Sequence, residues 1–233
     1  MYMVKKILIC GFSHSGTTLL RCIISKIDDV YDVVNECCTP NKMDINKAIE
    51  ENKSYIVYKS PQCLECYQEY ENLNDEPDIY VICIVRNCYY VQSSINRRRN
   101  YQNNHYDNIE QLLKTYNIYN RLQENPIYNV FTIKYEDIFE NNFANLKLIF
   151  DSIGLRYDET IFTNSKLCLK DGITHEDSHK CMFNYQQSTP TEMMEKAGAL
   201  SHNIHRQVQI NQNVENYNNP IKLDLLPNQI DLL

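Results

Sequence analysis

Glycine is scarce, with five in 233 residues, and tryptophan is absent. Where glycine does occur it is therefore informative, above all at Gly11 and Gly16. No apolar run approaches the roughly 18 residues of a membrane-spanning helix, so no span is expected. Met1 to Lys6 leads straight into an apolar segment too short for the core of a secretory signal, which predicts a soluble, cytoplasmic protein. Excess positive charge is missing too. The formal net charge of −7 argues against a general binder of nucleic acid or anionic membrane, while leaving room for a local basic patch. Internal repeats and low-complexity linkers are lacking, and the one charge run is Arg97-Arg98-Arg99, read as a solvated helix end or the lining of an entrance for an acidic ligand.

Cysteine is plentiful at ten residues, but Cys10 and Cys83 sit in apolar strand contexts and Cys22 in a helical one. Without a secretory signal, buried reduced thiols are the expectation. Cys63-Leu64-Glu65-Cys66 has metal-ligand spacing, and Cys37-Cys38 would complete a four-thiolate set. Two thiols on one helix face is the plainer reading.

The informative stretch is Lys5-Lys6-Ile7-Leu8-Ile9-Cys10-Gly11-Phe12-Ser13-His14-Ser15-Gly16-Thr17-Thr18-Leu19-Leu20. A strand-length apolar run enters a loop bounded by glycines, and a run with helical spacing follows. Glycine permits backbone angles that let successive N–H groups converge on an anion, and the helix adds the positive end of its dipole. The spacing from Gly11 to Gly16 is that of a Walker loop, but Thr17 stands where that motif carries its lysine. The loop suits an anion other than a nucleoside triphosphate.

The pattern along the chain predicts a helix over Thr17–Ile27, an irregular segment over Val30–Pro40 and a short polar helix over Asp44–Asn52. A strand over Ser54–Lys59 stops at Ser60-Pro61, and a helix over Gln62–Leu73 follows. Asp78–Val85, the most apolar run, predicts a central parallel strand. Helices are expected over Tyr89–Arg99 and Asn108–Glu124, the latter with Ile109, Leu112, Leu113, Tyr116 and Tyr119 inward. Tyr128–Ile133 reads as strand, and Asn142–Ile153 as a helix closed by Gly154. Beyond Leu155 the pattern predicts helices only around Thr191–Ala199 and Ser201–Gln209.

Alternating strands and helices imply a single α/β domain over residues 1–233 with its core at 4–155: three layers, a central parallel sheet and helices on both faces. Ligands of such sheets lie beyond the carboxyl ends of the strands. The loops Gly11–Thr18, Lys59–Pro61 and Arg86–Ser94 all leave strands at that edge, each with a polar or charged residue.

Three segments resemble the P-loop sulfotransferases that use 3′-phosphoadenosine 5′-phosphosulfate (PAPS). Gly11 to Leu20 is similar to the family's 5′-phosphosulfate loop, a basic residue followed by Ser-Gly-Thr-Thr. Ile84-Val85-Arg86 followed by Ser94 resembles its 3′-phosphate motif, and Tyr135-Glu136-Asp137 with the next helix and Gly154-Leu155 its late signature. The resemblance implies a transferase that leaves adenosine 3′,5′-bisphosphate (PAP) as product and requires no metal. It implies donor contacts from Ser13, His14, Ser15, Gly16, Thr17, Thr18, Arg86 and Ser94. Guanidinium and hydroxyl groups are suitable receptors for the 3′-phosphate.

Lys59 matches the lysine the family places on the leaving oxygens. Members acting on phenols and steroids carry a histidine two residues later, where this chain has Pro61; members acting on carbohydrates or tyrosyl proteins use a glutamate after the first helix, as Glu36 would be. Glu36 is accordingly the expected base, and a carbohydrate or tyrosine-like hydroxyl the expected acceptor. His14 departs from the family, which carries Lys or Arg there, and Lys196-Ala197-Gly198 only faintly echoes its late glycine-rich loop. A nucleotide-binding module with weak or no turnover is therefore the alternative, and a P-loop kinase a more distant one.

Overall fold

The structure, a computed structural model, describes residues 4–33, 36–61, 78–92, 109–138 and 140–163. Five strands, β1 (Lys5–Gly11), β2 (Val30–Asp32), β3 (Tyr55–Ser60), β4 (Ile79–Val85) and β5 (Val130–Lys134), form one sheet in the order β2-β3-β1-β4-β5. Every pairing in it is parallel. The helices are α1 (Thr17–Ile24), α2 (Lys42–Glu50), α3 (Ile109–Glu124), α4 (Ala144–Ile153) and α5 (Thr160–Thr163), with residues 88–92 also helical.

Strand alternation builds the layers. Ile7, Ile9, Tyr55, Val57, Tyr80, Ile82 and Ile84 pack with Leu20, Ile23 and Ile24 of α1 and Ile149 and Phe150 of α4. The intervening residues Leu8, Cys10, Ile56, Tyr58, Val81 and Cys83 pack with Ala48 of α2 and Ile118 and Leu122 of α3 on the opposite face. This is the expected three-layer α/β arrangement. Burying an aliphatic side chain contributes about 1.5–3 kcal/mol, so the two-sided core holds the strand ends firmly beneath the loops. Cys10 and Cys83 are fully buried thiols, their sulfurs 3.3 Å apart across β1 and β4.

Several boundaries differ from the sequence expectations. Residues 30–32 form an edge strand rather than irregular chain, made by pairing with β3. The first helix ends at Ile24, where the N–H of Ser25 donates to the Arg21 carbonyl and that of Lys26 to the Ile23 carbonyl. Asn41 opens α2 by accepting from the N–H of Asp44 at 2.9 Å, two residues earlier than expected. β5 starts at Val130, leaving Tyr128 largely exposed, and Leu113 is exposed on α3 while Ile118 and Leu122 face the sheet. Gly154 closes α4 in the left-handed conformation at φ 77°, as expected. Among the described residues no helix is long and apolar enough to cross a membrane. The helices expected over Gln62–Leu73, Thr191–Ala199 and Ser201–Gln209 lie outside the described residues.

Candidate functional site

Register brings three loops together. Ile9 lies beside Lys59 and Cys10 beside Ser60 across β1 and β3, while Gly11 lies beside Ile84 across β1 and β4, with Arg86 just beyond. The carboxyl ends of three adjacent strands thus share one edge of the sheet.

The loop after β1 is shaped by close approach. A Cβ on Gly11 would lie 2.2 Å from the Ile84 carbonyl oxygen, closer than any side chain permits. Gly16 has φ 100°, and a Cβ there would lie 2.4 Å from Cδ2 of Tyr135. Between them His14 is left-handed at φ 70°, a region in which histidine is enriched among non-glycine residues. The N–H of Ser15 turns back to the Phe12 carbonyl at 3.1 Å. Helix α1 starts at Thr17 with no side-chain cap and no acidic residue in its first turn. Its leading N–H groups and dipole therefore supply positive potential to the loop. Ser15 and Thr17 are buried, whereas Ser13, His14 and Thr18 are half-buried.

Lys59 and Glu36, expected on separate loops, meet directly. Lys59 Nζ donates to Glu36 Oε1 at 2.6 Å. The lysine side chain is 3% exposed and the glutamate 43%, so the pair has one buried and one open end. The segment carrying Glu36 is tied to β3: the N–H of Val33 donates to the Val57 carbonyl and that of Cys37 to the Lys59 carbonyl. From behind, Arg21 of α1 donates through Nη1 to the Val33 carbonyl at 3.0 Å, with Nε 3.5 Å from Asp32 Oδ1. Arg21 was not anticipated from the sequence. Its signal was a charged residue inside the apolar stripe of α1, between Leu20 and Ile24.

Arg86 leaves β4 and is 8% exposed. Its guanidinium carbon sits 4.3 Å from the centroid of the Tyr135 ring and 5.8 Å from that of Tyr90. Nε has no hydrogen-bond partner among the described residues. The Arg86 carbonyl accepts from the Tyr116 hydroxyl. Burial, then the nearby Cys88 and Glu136, push the Tyr116 phenol well above its ordinary range, so it remains a donor. Asn87 donates its N–H to Glu136 Oε1 at 2.9 Å and caps the following turn by accepting from Tyr89 N–H. Ser94, Cys63, Cys66, Arg97–Arg99 and Lys196–Gly198 lie outside the described residues. Among the described residues no three His, Cys, Asp or Glu side chains converge as a metal site.

The residues present fit a nucleotide that carries phosphate at both ends of a nucleoside. A glycine-bounded cradle lies at one end, and at the other a buried guanidinium keeps an N–H without a protein partner among the described residues. The fold and site define a parallel α/β protein with a glycine-bounded loop after its central strand β1 and a buried lysine on the neighbouring strand β3.

No protein-family model matches the chain, and no curated protein matches it. Among solved structures it is similar to mouse sulfotransferase SULT7A1 complexed with PAP, at 15% identity over 74% of this chain and 69% of that one, with a TM-score of 0.48. It is also similar to retinol dehydratase in complex with androsterone and the inactive cofactor PAP, at 12% identity over 97% of this chain and 84% of that one, with a TM-score of 0.43. A retinol dehydratase complex with retinol and PAP gives 12% identity and a TM-score of 0.41.

Proposed function

We propose that this chain is a sulfotransferase that moves a sulfuryl group from PAPS to an acceptor hydroxyl on a carbohydrate or tyrosine-like group. The observation that carries the reading is the contact of Lys59 Nζ with Glu36 Oε1 beside a phosphate loop that has no lysine of its own. The cation missing from the loop is supplied by β3, and it arrives already bonded to a carboxylate.

Bound PAPS would supply the electrophilic sulfuryl group, with PAP as the leaving product. Loop N–H groups and the hydroxyls of Ser13, Ser15, Thr17 and Thr18 would hold its 5′ end, with Gly16 giving the backbone room. His14 adds a hydrogen bond, and a charge when protonated. Arg86 would receive the 3′-phosphate, with Ser94 assigned to the same group by resemblance. Lys59 stabilises negative charge on the bridging oxygen, and Glu36 takes the acceptor proton. The ion pair links these roles. Lys59 would be shared between Glu36 and the bridging oxygen, and the more of its charge the oxygen took, the stronger a base Glu36 would be. The Glu36 side chain is 43% exposed, which would let an acceptor hydroxyl reach it. No step in this scheme uses a metal.

The test is label transfer from radiolabelled PAPS to a panel of glycans, phenols and tyrosyl peptides. Transfer to a hydroxyl that is lost in Lys59→Ala and Glu36→Gln is expected. Binding of PAP without transfer to any member of the panel would favour a module without turnover.

A further inference from the structure

We infer that Tyr135 is a positioning residue whose ring fixes the distance between the two anion-binding devices and so sets the preference for a nucleotide with a second phosphate. This rests on the reading of Arg86 as the 3′-phosphate receptor. The ring touches both devices at once. Its edge closes on the phosphate loop, since a Cβ on Gly16 would lie 2.4 Å from Cδ2 and 2.9 Å from Cε2. Its face carries the guanidinium of Arg86, whose central carbon is 4.3 Å from the centroid.

The ring itself has little freedom. Tyr135 is 5% exposed, lies within the core cluster shared by α1, α4 and the sheet, and donates its backbone N–H to the Val85 carbonyl at 2.7 Å. That last bond ties it to the residue preceding Arg86. A guanidinium seated over a ring face is held by its delocalised charge, and its N–H donors stay available for other partners. Nε is without a partner among the described residues, so the ring contact holds the group without consuming that donor. An aliphatic residue could fill the volume but would offer no π face to align the cation.

The test measures, by calorimetry, the ratio of affinities for adenosine 3′,5′-bisphosphate and adenosine 5′-phosphate in wild type, Tyr135→Phe, Tyr135→Leu and Arg86→Ala. The wild type should favour the bisphosphate, and Arg86→Ala should reduce that ratio roughly 10- to 100-fold. Tyr135→Phe keeps the ring and should keep the ratio, whereas Tyr135→Leu should lower it about five- to thirtyfold. In the Arg86→Ala background Tyr135→Leu should lower it no further. Should Tyr135→Leu not fold, Tyr135→Met fills the volume without a π face and is measured in its place. A purely structural role would weaken both ligands equally and leave the ratio alone. If the wild type shows no preference, the reading of Arg86 fails. If the wild type prefers the bisphosphate but the ring-deleting variants keep that preference, or Tyr135→Phe loses it as fully as they do, the role of the ring is overturned and the reading of Arg86 stands.

Discussion

Lys59 Nζ and Glu36 Oε1 are 2.6 Å apart, so the cation and the base of the proposed reaction hold each other. Replacing Glu36 with glutamine keeps a side-chain oxygen for Lys59 but removes the proton acceptor. Turnover in Glu36→Gln should fall by about 10²–10⁴-fold, the usual contribution of a general base, with PAP affinity retained. Single-turnover transfer and calorimetry on the same sample separate the two. Full activity would remove Glu36 as the base.

Lys59→Ala acts differently. It deletes the charge at the leaving oxygen, which should lower turnover by about 10²–10³-fold, in the range measured for single electrostatic donors. Glu36 loses its counter-ion in the same variant, but its side chain is 43% exposed and can turn to solvent. A thermal unfolding midpoint close to that of wild type would accompany the lost activity. A collapse in stability would mean that the lysine is structural.

Gly16→Ala tests the loop without touching a charge. The added methyl would meet the Tyr135 ring at 2.4 Å on a backbone at φ 100°. Strain of about 1–3 kcal/mol is expected from the backbone conformation alone, more with the collision. Urea denaturation should show it, and binding of PAP should fall as well. A variant as stable as wild type would mean that the ring and the loop are not in contact.

Much of this was legible in the sequence. The strand, glycine loop and helix from Lys5 to Ile24 announce themselves because a strand-length apolar run, a pair of glycines and helical spacing each leave a local mark. β2 left none: three residues at the edge of a sheet become a strand only by pairing with β3. Arg21 was hidden because a stripe of apolar residues draws the eye past the charge inside it. Tyr135 was visible as the first residue of a family signature, but what its ring touches was not, since no local pattern sets it apart among 18 tyrosines. Family resemblance pointed to Lys59 and Glu36 one by one. Their contact spans 23 positions of chain and depends on the tie between the Cys37 N–H and the Lys59 carbonyl, which no local pattern encodes.

Stability should decline at alkaline pH. Hydrogen bonding to Cys10, then burial, push the Cys83 thiol well above its ordinary value, so the folded state favours the neutral form. The unfolded thiol ionises near about pH 8.5. The contribution is therefore fully present below that pH and lost as pH rises toward the folded value. Half-buried Tyr116 and buried Tyr119, both raised with desolvation as the leading cause, extend the loss above about pH 10. Urea midpoints across pH should show the decline, and Cys83→Ala should flatten its first part.

In the proposed function the loop from Gly11 to Thr18 and Arg86 together receive a nucleotide phosphorylated at both ends and do not serve a triphosphate. Calorimetric titration of the purified protein with adenosine 3′,5′-bisphosphate, and separately with ATP and magnesium, tests it most directly. Saturable binding of the bisphosphate is expected, unchanged by EDTA and weakened by about 1.5–3 kcal/mol in Arg86→Ala, with no comparable binding of ATP. Binding of ATP with magnesium and none of the bisphosphate would contradict it.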